Sequence, residues 1–400
     1  IYIMSLLKNK LLNTYKRLPV SFERGSGAWL FDQSGNKYLD GLSGVAVNTL
    51  GHNHPVLVQA ISEQAKKLIH ISNYYHIDEQ SMLADKLVAI SKLSSVFFCN
   101  SGCEANEAAI KLARLHGHKL NIDNPNIIVM SGGFHGRTMG TLSASGGRKY
   151  QAGFEPLMPG FIRVPYDDIE SIKKIANKKN KVSAILVEPI QGEGGINIPT
   201  DFNGYLSLLR NLCDENNWLL MLDEVQCGIG RTGKWFAHQH SDIKPDVMTL
   251  AKGLASGFPI GACVTNDKAS NLMLPGKHGS TFGGNPLACV AGITTLEVVE
   301  KDNLINNAIN QGDLIAKELM LRIGDHDNVK SIRHKGLMIG IELDIPCVDL
   351  IEIALKDKLL INVTAEKVVR LLPPLIIKED EAMLLAEKLS NLIINFIKKN

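Results

Sequence analysis

Five short apolar runs, at 96–99, 127–130, 184–187, 218–222 and 247–250, constrain this chain more than anything else in it. None alternates apolar with polar residues, so a strand built from any of them must be covered on both faces. Helix-like stretches over 55–69, 103–116 and 203–216 lie between them. Doubly buried strands separated by helices make a mostly parallel sheet with helices on both faces, so the fold class is α/β. The 400 residues are enough for a second core. Past residue 300 the pattern changes to amphipathic helices over 302–323 and 378–397, with short strands near 331–343 and 367–371, as in a smaller α+β domain. The first residues hold strand-like pieces around turns such as Asp32-Gln33-Ser34-Gly35. The expected division is 55–285 as the large α/β domain, 286–400 as the small domain, and 1–54 as a segment joining the latter.

Several function classes are excluded early. A net charge of +2, with no block of like charge, gives no footing for nucleic acid or an anionic membrane. No apolar run approaches membrane-spanning length. The seven cysteines are odd in number and irregularly spaced, without a Cys-x-x-Cys pair. Reduced thiols in a cytoplasmic protein are expected from that, with no disulfide framework. The start, Ile1-Tyr2-Ile3-Met4, lacks the basic stretch and cleavage site of a secretory signal. His52/His54 and His116/His118 come in pairs, but no cysteine or acid completes a metal set, so no metal is expected. Neither Gly-x-Gly-x-x-Gly after the first strand nor a P-loop is present, which disfavours a dehydrogenase or nucleotidase.

Chemistry is concentrated where apolar runs end, which in an open α/β sheet is where ligands bind. After the run at 96–99 comes Asn100-Ser101-Gly102-Cys103-Glu104-Ala105-Asn106-Glu107. Ser101 and Glu104 have capping-box spacing, Gly102 permits close approach, and a helix start of this kind can hold a phosphate or simply be a capped helix. Asp223-Glu224-Val225-Gln226 follows the run at 218–222. An acid there can bind a metal, act as a base, pair with a cationic ring nitrogen, or merely end a strand. Lys252 follows the run at 247–250 and precedes a glycine. Burial would depress its pKa and suit a Schiff base with a carbonyl cofactor, although most strand-end lysines are solvated. Gly133-Phe134-His135-Gly136-Arg137-Thr138 joins an aromatic able to stack on a planar ring with an arginine able to grip a carboxylate. Two further stretches belong with these: Glu188-Pro189-Ile190-Gln191-Gly192-Glu193-Gly194-Gly195 and Gly279-Ser280-Thr281-Phe282-Gly283-Gly284-Asn285-Pro286.

Taken in order, these motifs resemble those of the class-III pyridoxal-phosphate aminotransferases, and the resemblance runs from about Tyr15 through the last helix. Within that class the chain is most similar to the acetylornithine aminotransferases, through Phe134-His135-Gly136-Arg137-Thr138, the stretch 47–55 and the stretch 369–375. The resemblance implies fold type I, pyridoxal phosphate as cofactor, and a homodimer with shared active sites. It also implies roles. Lys252 carries the cofactor and moves the substrate proton. Asp223 keeps the ring nitrogen protonated, Gln226 touches the phenolic oxygen, and Phe134 and Val225 sandwich the ring. Ser101, Gly102 and Cys103 cradle the phosphate, and Thr281, with Ser280 beside it, serves the neighbouring subunit's site. Arg137 holds the distal α-carboxylate of acetylornithine, Arg370 holds the carboxylate of 2-oxoglutarate or glutamate next to the reacting carbon, and Glu193, in a glycine-rich loop able to move, neutralises Arg370. Cys103 departs from the family's alanine or threonine where only a backbone amide is needed. Val45 stands where ornithine aminotransferases have a tyrosine, which counts against free ornithine.

The reaction so implied moves the terminal amino group of N2-acetylornithine to 2-oxoglutarate in arginine biosynthesis, with N-succinyl-diaminopimelate of lysine biosynthesis as a further donor. The alternatives are another class-III enzyme, acting on succinylornithine, 4-aminobutyrate or ornithine, and a catalytically dead scaffold. The presence of every matched polar residue speaks against the scaffold.

Overall fold

The computed structural model describes residues 10–178 and 181–399; the reading of the first residues as no secretory signal falls mostly outside them. Strands are numbered in chain order. Near the start lie β1 (Phe22–Ser26), β2 (Trp29–Asp32) and β3 (Lys37–Asp40). The middle holds β4 (Ser95–Cys99), β5 (Asn126–Met130), β6 (Phe161–Val164), β7 (Val182–Val187), β8 (Leu219–Asp223), β9 (Val247–Leu250) and β10 (Gly261–Thr265). The last part holds β11 (Val329–Lys335), β12 (Met338–Leu343), β13 (Leu359–Leu360), β14 (Asn362–Thr364) and β15 (Val368–Leu371).

The middle strands form one sheet in the order β4-β10-β9-β8-β7-β5-β6. The pairs from β9 to β6 are parallel, whereas β10 is antiparallel to both its neighbours. The sheet's two faces explain the missing alternation. Ile185, Val187, Leu220 and Leu222 share a core with Tyr205, Leu206 and Leu209 of the helix Phe202–Glu215. Ala184, Leu186, Leu219 and Met221 point the other way, onto Ala108, Ala109 and Leu112 of the helix Gly102–Lys119. Successive side chains leave a strand on opposite faces, and here both faces need apolar ones.

Some elements escaped the sequence reading for identifiable reasons. The helix Pro286–Lys301 is buried on nearly all sides, so it carries no amphipathic period. Strand β10, Gly261-Ala262-Cys263-Val264-Thr265, opens on a glycine and has a single β-branched apolar residue, so it presents no strong apolar run.

The flanking parts are knit together by pairing. β13 pairs in parallel with β3, so late and early chain share the sheet β1-β2-β3-β13. An antiparallel sheet, β11-β12-β15-β14, carries Arg370 on β15, its third strand. Because β10 reverses direction twice over, β4 runs the same way as β5 to β9. The carboxyl ends of β4, β5, β7, β8 and β9 therefore meet along one edge, and the motifs meet with them.

Candidate active site

A cavity of about 350 Å³ opens at that edge, within the range of small-molecule sites. Its wall includes Ser101, Gly102, Cys103, Phe134, Asp223, Val225, Gln226 and Lys252.

Asp223 ends β8 and is 3% exposed. Its Oδ2 accepts hydrogen bonds from Nδ1 of His135 at 2.7 Å and Nδ2 of Asn106 at 2.8 Å, and its Oδ1 accepts one from the Val225 amide at 3.1 Å. Asn106 is itself held by the Thr249 hydroxyl, which donates to its Oδ1 at 2.8 Å, and donates in turn to the His135 carbonyl at 2.8 Å. Burial alone would disfavour charge on His135, yet the hydrogen bond and charge of Asp223 outweigh it and raise the imidazole's pKa. Nearby, Glu188 accepts from the amides of Phe134 at 2.8 Å and Gly192 at 3.0 Å. Burial first, and the Asp223 charge second, push its carboxyl up to about 7. Buried acids with perturbed pKa values in a cavity wall mark functional sites.

Another part of the cavity wall is a helix start. Ser101 is the N-cap of Gly102–Lys119, its Oγ accepting from the Glu104 amide at 3.2 Å. Glu104 does not close the expected capping box: its carboxylate takes the amide of Asn100, one residue earlier, at 2.6 Å, and Nδ2 of Asn100 at 2.9 Å. The amides of Gly102 and Cys103 lie in the first turn, where a helix has no internal acceptor for them. Gly102 is required by packing, since a Cβ there would sit 2.8 Å from Cγ1 of Val225. That approach brings the helix start against the cavity's Val225 wall.

Lys252 follows β9 in a tight turn, Lys252–Ala255, with φ of +40°. It is half-buried, and its Nζ makes no hydrogen bond to any described residue. Desolvation lowers its pKa, and the positive charge of Arg370 lowers it further. A larger share of neutral amine, able to attack a carbonyl or take a proton, is the consequence.

The two arginines differ in state. Arg137 is exposed, has no acid partner among the described residues, and lies over the Tyr150 ring at 4.4 Å and the Phe134 ring at 5.6 Å. Arg370 is 2% exposed; its Nη1 donates to Glu193 at 2.7 Å and Gln226 at 3.3 Å, and its Nη2 to Asn362 at 2.8 Å. Its Nε is buried and has no partner among the described residues. The Glu193 loop is less free than its glycines suggested. Gln191 and Asn197 bridge its base, Thr364 donates to the Glu193 carbonyl, and Arg333 donates to the carbonyls of Gly195 at 2.6 Å and Ile196 at 2.9 Å. The Glu193 side chain, paired with Arg370, is 24% exposed, so its carboxylate reaches solvent while the loop backbone is held.

The structure thus gathers Lys252, Asp223, Val225, Gln226, Phe134, Ser101, Gly102 and Cys103 around one cavity and links Glu193 to Arg370. Thr281 is not gathered: it is exposed and lies outside the cavity wall, and Ser280 is engaged with Nδ2 of Asn100 at 3.2 Å. Among residues whose part was not foreseen, Asn106 and His135 sat inside recognised motifs, so their position could have been found there. Tyr150 and Asn362 carried no signal.

This set fits pyridoxal phosphate. A buried carboxylate and uncommitted amides line the cavity with an aromatic and a valine, and an amine without a hydrogen-bond partner among the described residues stands beside them. The residues that would hold the group are Asp223, Gln226, Phe134, Val225, Ser101, Gly102, Cys103 and Lys252.

Comparison with known proteins agrees. The family described as "Aminotransferase class-III" matches residues 12–393. The acetylornithine aminotransferase of Nitrosomonas europaea is 57% identical over 387 residues, covering 97% of this chain and 98% of that one. Among solved structures, the acetylornithine aminotransferase of Elizabethkingia anophelis superposes with a TM-score of 0.86 at 34% identity, covering 98% of each chain. An ornithine aminotransferase of Toxoplasma gondii, with partial occupancy of PLP at its active site, gives 0.92 at 32% identity, covering 97% of this chain and 93% of that one. With geometry and likeness in agreement over nearly its full length, this chain belongs to the class-III aminotransferases, which work with pyridoxal phosphate.

Proposed function

We propose that the chain transfers the terminal amino group of N2-acetyl-L-ornithine to 2-oxoglutarate, giving N-acetylglutamate 5-semialdehyde and L-glutamate, as a step of arginine biosynthesis. The observation that carries this reading is the unlike state of two arginines. A donor that reacts through its terminal amine places its α-carboxylate far from Lys252, where the unpaired Arg137 can grip it. Glutamate reacts through its α-amine, so its α-carboxylate must be close by, at Arg370. In the first half-reaction Glu193 neutralises Arg370, which would otherwise be a buried unpaired charge beside an apolar chain. In the second, the incoming carboxylate replaces Glu193. The two relatives above named acetylornithine aminotransferase, one of them 57% identical, support the same substrate.

When bound, pyridoxal phosphate supplies an electron sink for the pair released as the substrate C–H bond breaks. Asp223 holds a proton at the ring nitrogen, fixed in place by His135 and Asn106. Lys252 would hold the cofactor through its amine and, once the substrate amine has taken its place there, would carry at Nζ the proton taken from the substrate carbon. Phe134 and Val225 would hold the ring between them and exclude water.

The rest of the reading follows from placement. The large domain, 55–285, binds the cofactor, while 1–54 and 286–400 form the smaller one that carries Arg370; the β3–β13 pairing supports this. Thr281 serves a second copy's site, so the working unit is a homodimer. The exposed Phe282 (60%), Tyr74 (94%) and Tyr75 (66%) beside Thr281 support such a partner. The setting is cytoplasmic, in keeping with seven unpaired cysteines.

The test is a donor panel scored by glutamate formed from 2-oxoglutarate. Acetylornithine is expected to exceed free ornithine by about ten- to a hundredfold in kcat/KM, the size of a modest pocket preference. Faster turnover of free ornithine or 4-aminobutyrate would replace this substrate with that one. Single-turnover measurements on variants separate the arginines. Arg137→Ala should raise KM for acetylornithine by about tenfold or more, through loss of a two-pronged carboxylate grip. Arg370→Ala should slow the 2-oxoglutarate half while sparing the acetylornithine half; equal losses in both halves would remove that role from Arg370.

A further inference from the structure

We infer that Thr49 is a positioning residue that holds the Lys252 turn and the Arg370 strand in register with each other. The inference rests on the roles proposed above for Lys252 and Arg370 and adds the part that sets their spacing.

The segment after β3 is strained. Asp40 fixes its beginning, with Oδ1 accepting from the amides of Leu42 at 2.9 Å and Ser43 at 2.8 Å, and Oδ2 meeting His52 Nε2 at 2.8 Å. The next residues, Ser43, Gly44, Val45 and Ala46, have φ of 52°, 63°, 68° and 62°. Left-handed backbone is unfavourable for any residue with a Cβ, most of all a β-branched one. Such a run persists where its surroundings over-determine it, and it is common at functional sites. Val47, just after it, lines the cavity.

What the segment does next is to tie two elements together. The Thr49 hydroxyl donates to the Gly253 carbonyl at 3.0 Å, one residue past Lys252. The Leu50 amide donates to Oγ of Ser256 at 2.8 Å, at the end of the same turn. That turn begins and ends in left-handed backbone, with Lys252 at 40° and Ser256 at 46°, so it too depends on outside ties. The Thr49 carbonyl accepts from the Leu375 amide at 2.9 Å, and the Gly41 carbonyl from Leu372 at 2.7 Å, both shortly after Arg370 in the chain. One buried residue, 1% exposed, thus grips the lysine turn with its side chain and the arginine strand's exit with its backbone. The approach is close enough to require glycine at 253, where a Cβ would lie 2.6 Å from the Thr49 hydroxyl. The amine that moves the proton and the guanidinium that places the substrate sit on different sheets, and misplacement on the order of 1 Å costs up to about a hundredfold in rate.

Thr49→Val keeps the shape and leaves the Gly253 carbonyl without its donor. The expected result is a loss of about tenfold or more in kcat with smaller changes in KM. The pH midpoint of the absorbance change of bound pyridoxal phosphate should also shift from wild type, since the Lys252 surroundings move. Thr49→Ser should restore both. Ser256→Ala, which cuts the second tie, should shift the same midpoint and keeps the idea testable should the valine variant not fold. A wild-type midpoint and kcat in both Thr49→Val and Ser256→Ala, with only a lower melting temperature, would make Thr49 a purely structural residue. Failure of Thr49→Ser to restore the midpoint would also overturn the inference. Lys252→Ala run alongside separates the causes: if that variant still turns over, the reading of Lys252 has failed; if it is inactive while the Thr49 variants are normal, only the inference has.

Discussion

Lys252→Ala should lower turnover by about 10⁴-fold or more, the upper range of what a positioned acid–base group contributes, because the same amine also anchors the cofactor. The fold should survive. The Lys252 Nζ makes no hydrogen bond to a described residue, so truncation strands no buried partner. Its pKa is lowered by burial and by Arg370, which means that folding disfavours the charged amine. That cost is present in full at pH below the folded-state pKa and fades as pH rises toward the ordinary 10.5. Alanine removes it, so the melting temperature of the cofactor-free protein should stay level or rise at neutral pH. Glutamate formation gives the first quantity and a thermal scan the second. Turnover clearly above that of free cofactor in the purified variant would assign the amine chemistry to another residue.

Asp223→Asn should cost about 10²- to 10³-fold in kcat, comparable to removing a fixed charge from a water-poor site. The shape hardly changes, and an amide oxygen can still accept from His135 or Asn106. What is lost is the negative charge that holds a proton at the ring nitrogen. Affinity for pyridoxal phosphate should fall with it, measured by titrating the cofactor-free protein. A secondary effect follows at His135. With its charged partner gone, burial prevails, and the imidazole moves from above its ordinary value to below it. The pH dependence of its NMR signal reads this directly. A variant with wild-type rate and cofactor affinity would reduce Asp223 to the cap of a buried strand.

The sequence by itself determined the layers and the whereabouts of the chemistry. Continuous apolar runs such as 184–187 admit only strands covered twice, and Tyr205, Leu206 and Leu209 on one side with Ala108, Ala109 and Leu112 on the other are that cover. The motifs at Ser101, Phe134, Asp223 and Lys252 were legible because each follows such a run, and parallel strands end on one side. Tertiary structure alone decided what those residues meet. That His135 and Asn106 share one oxygen of Asp223 depends on β8 lying within reach of two different connections. That Arg370 meets Glu193 depends on β15 crossing to a loop 177 residues away. Thr49 shows the limit most clearly. It falls in the stretch 47–55 that carries the resemblance, but nothing there gives it a role, and its place between the Lys252 turn and the strand of Arg370 exists only once distant segments pack. Periodicity records which face a side chain must bury, a local property repeated along the chain. The partner of a single polar group is fixed by long-range packing, which leaves no period to read.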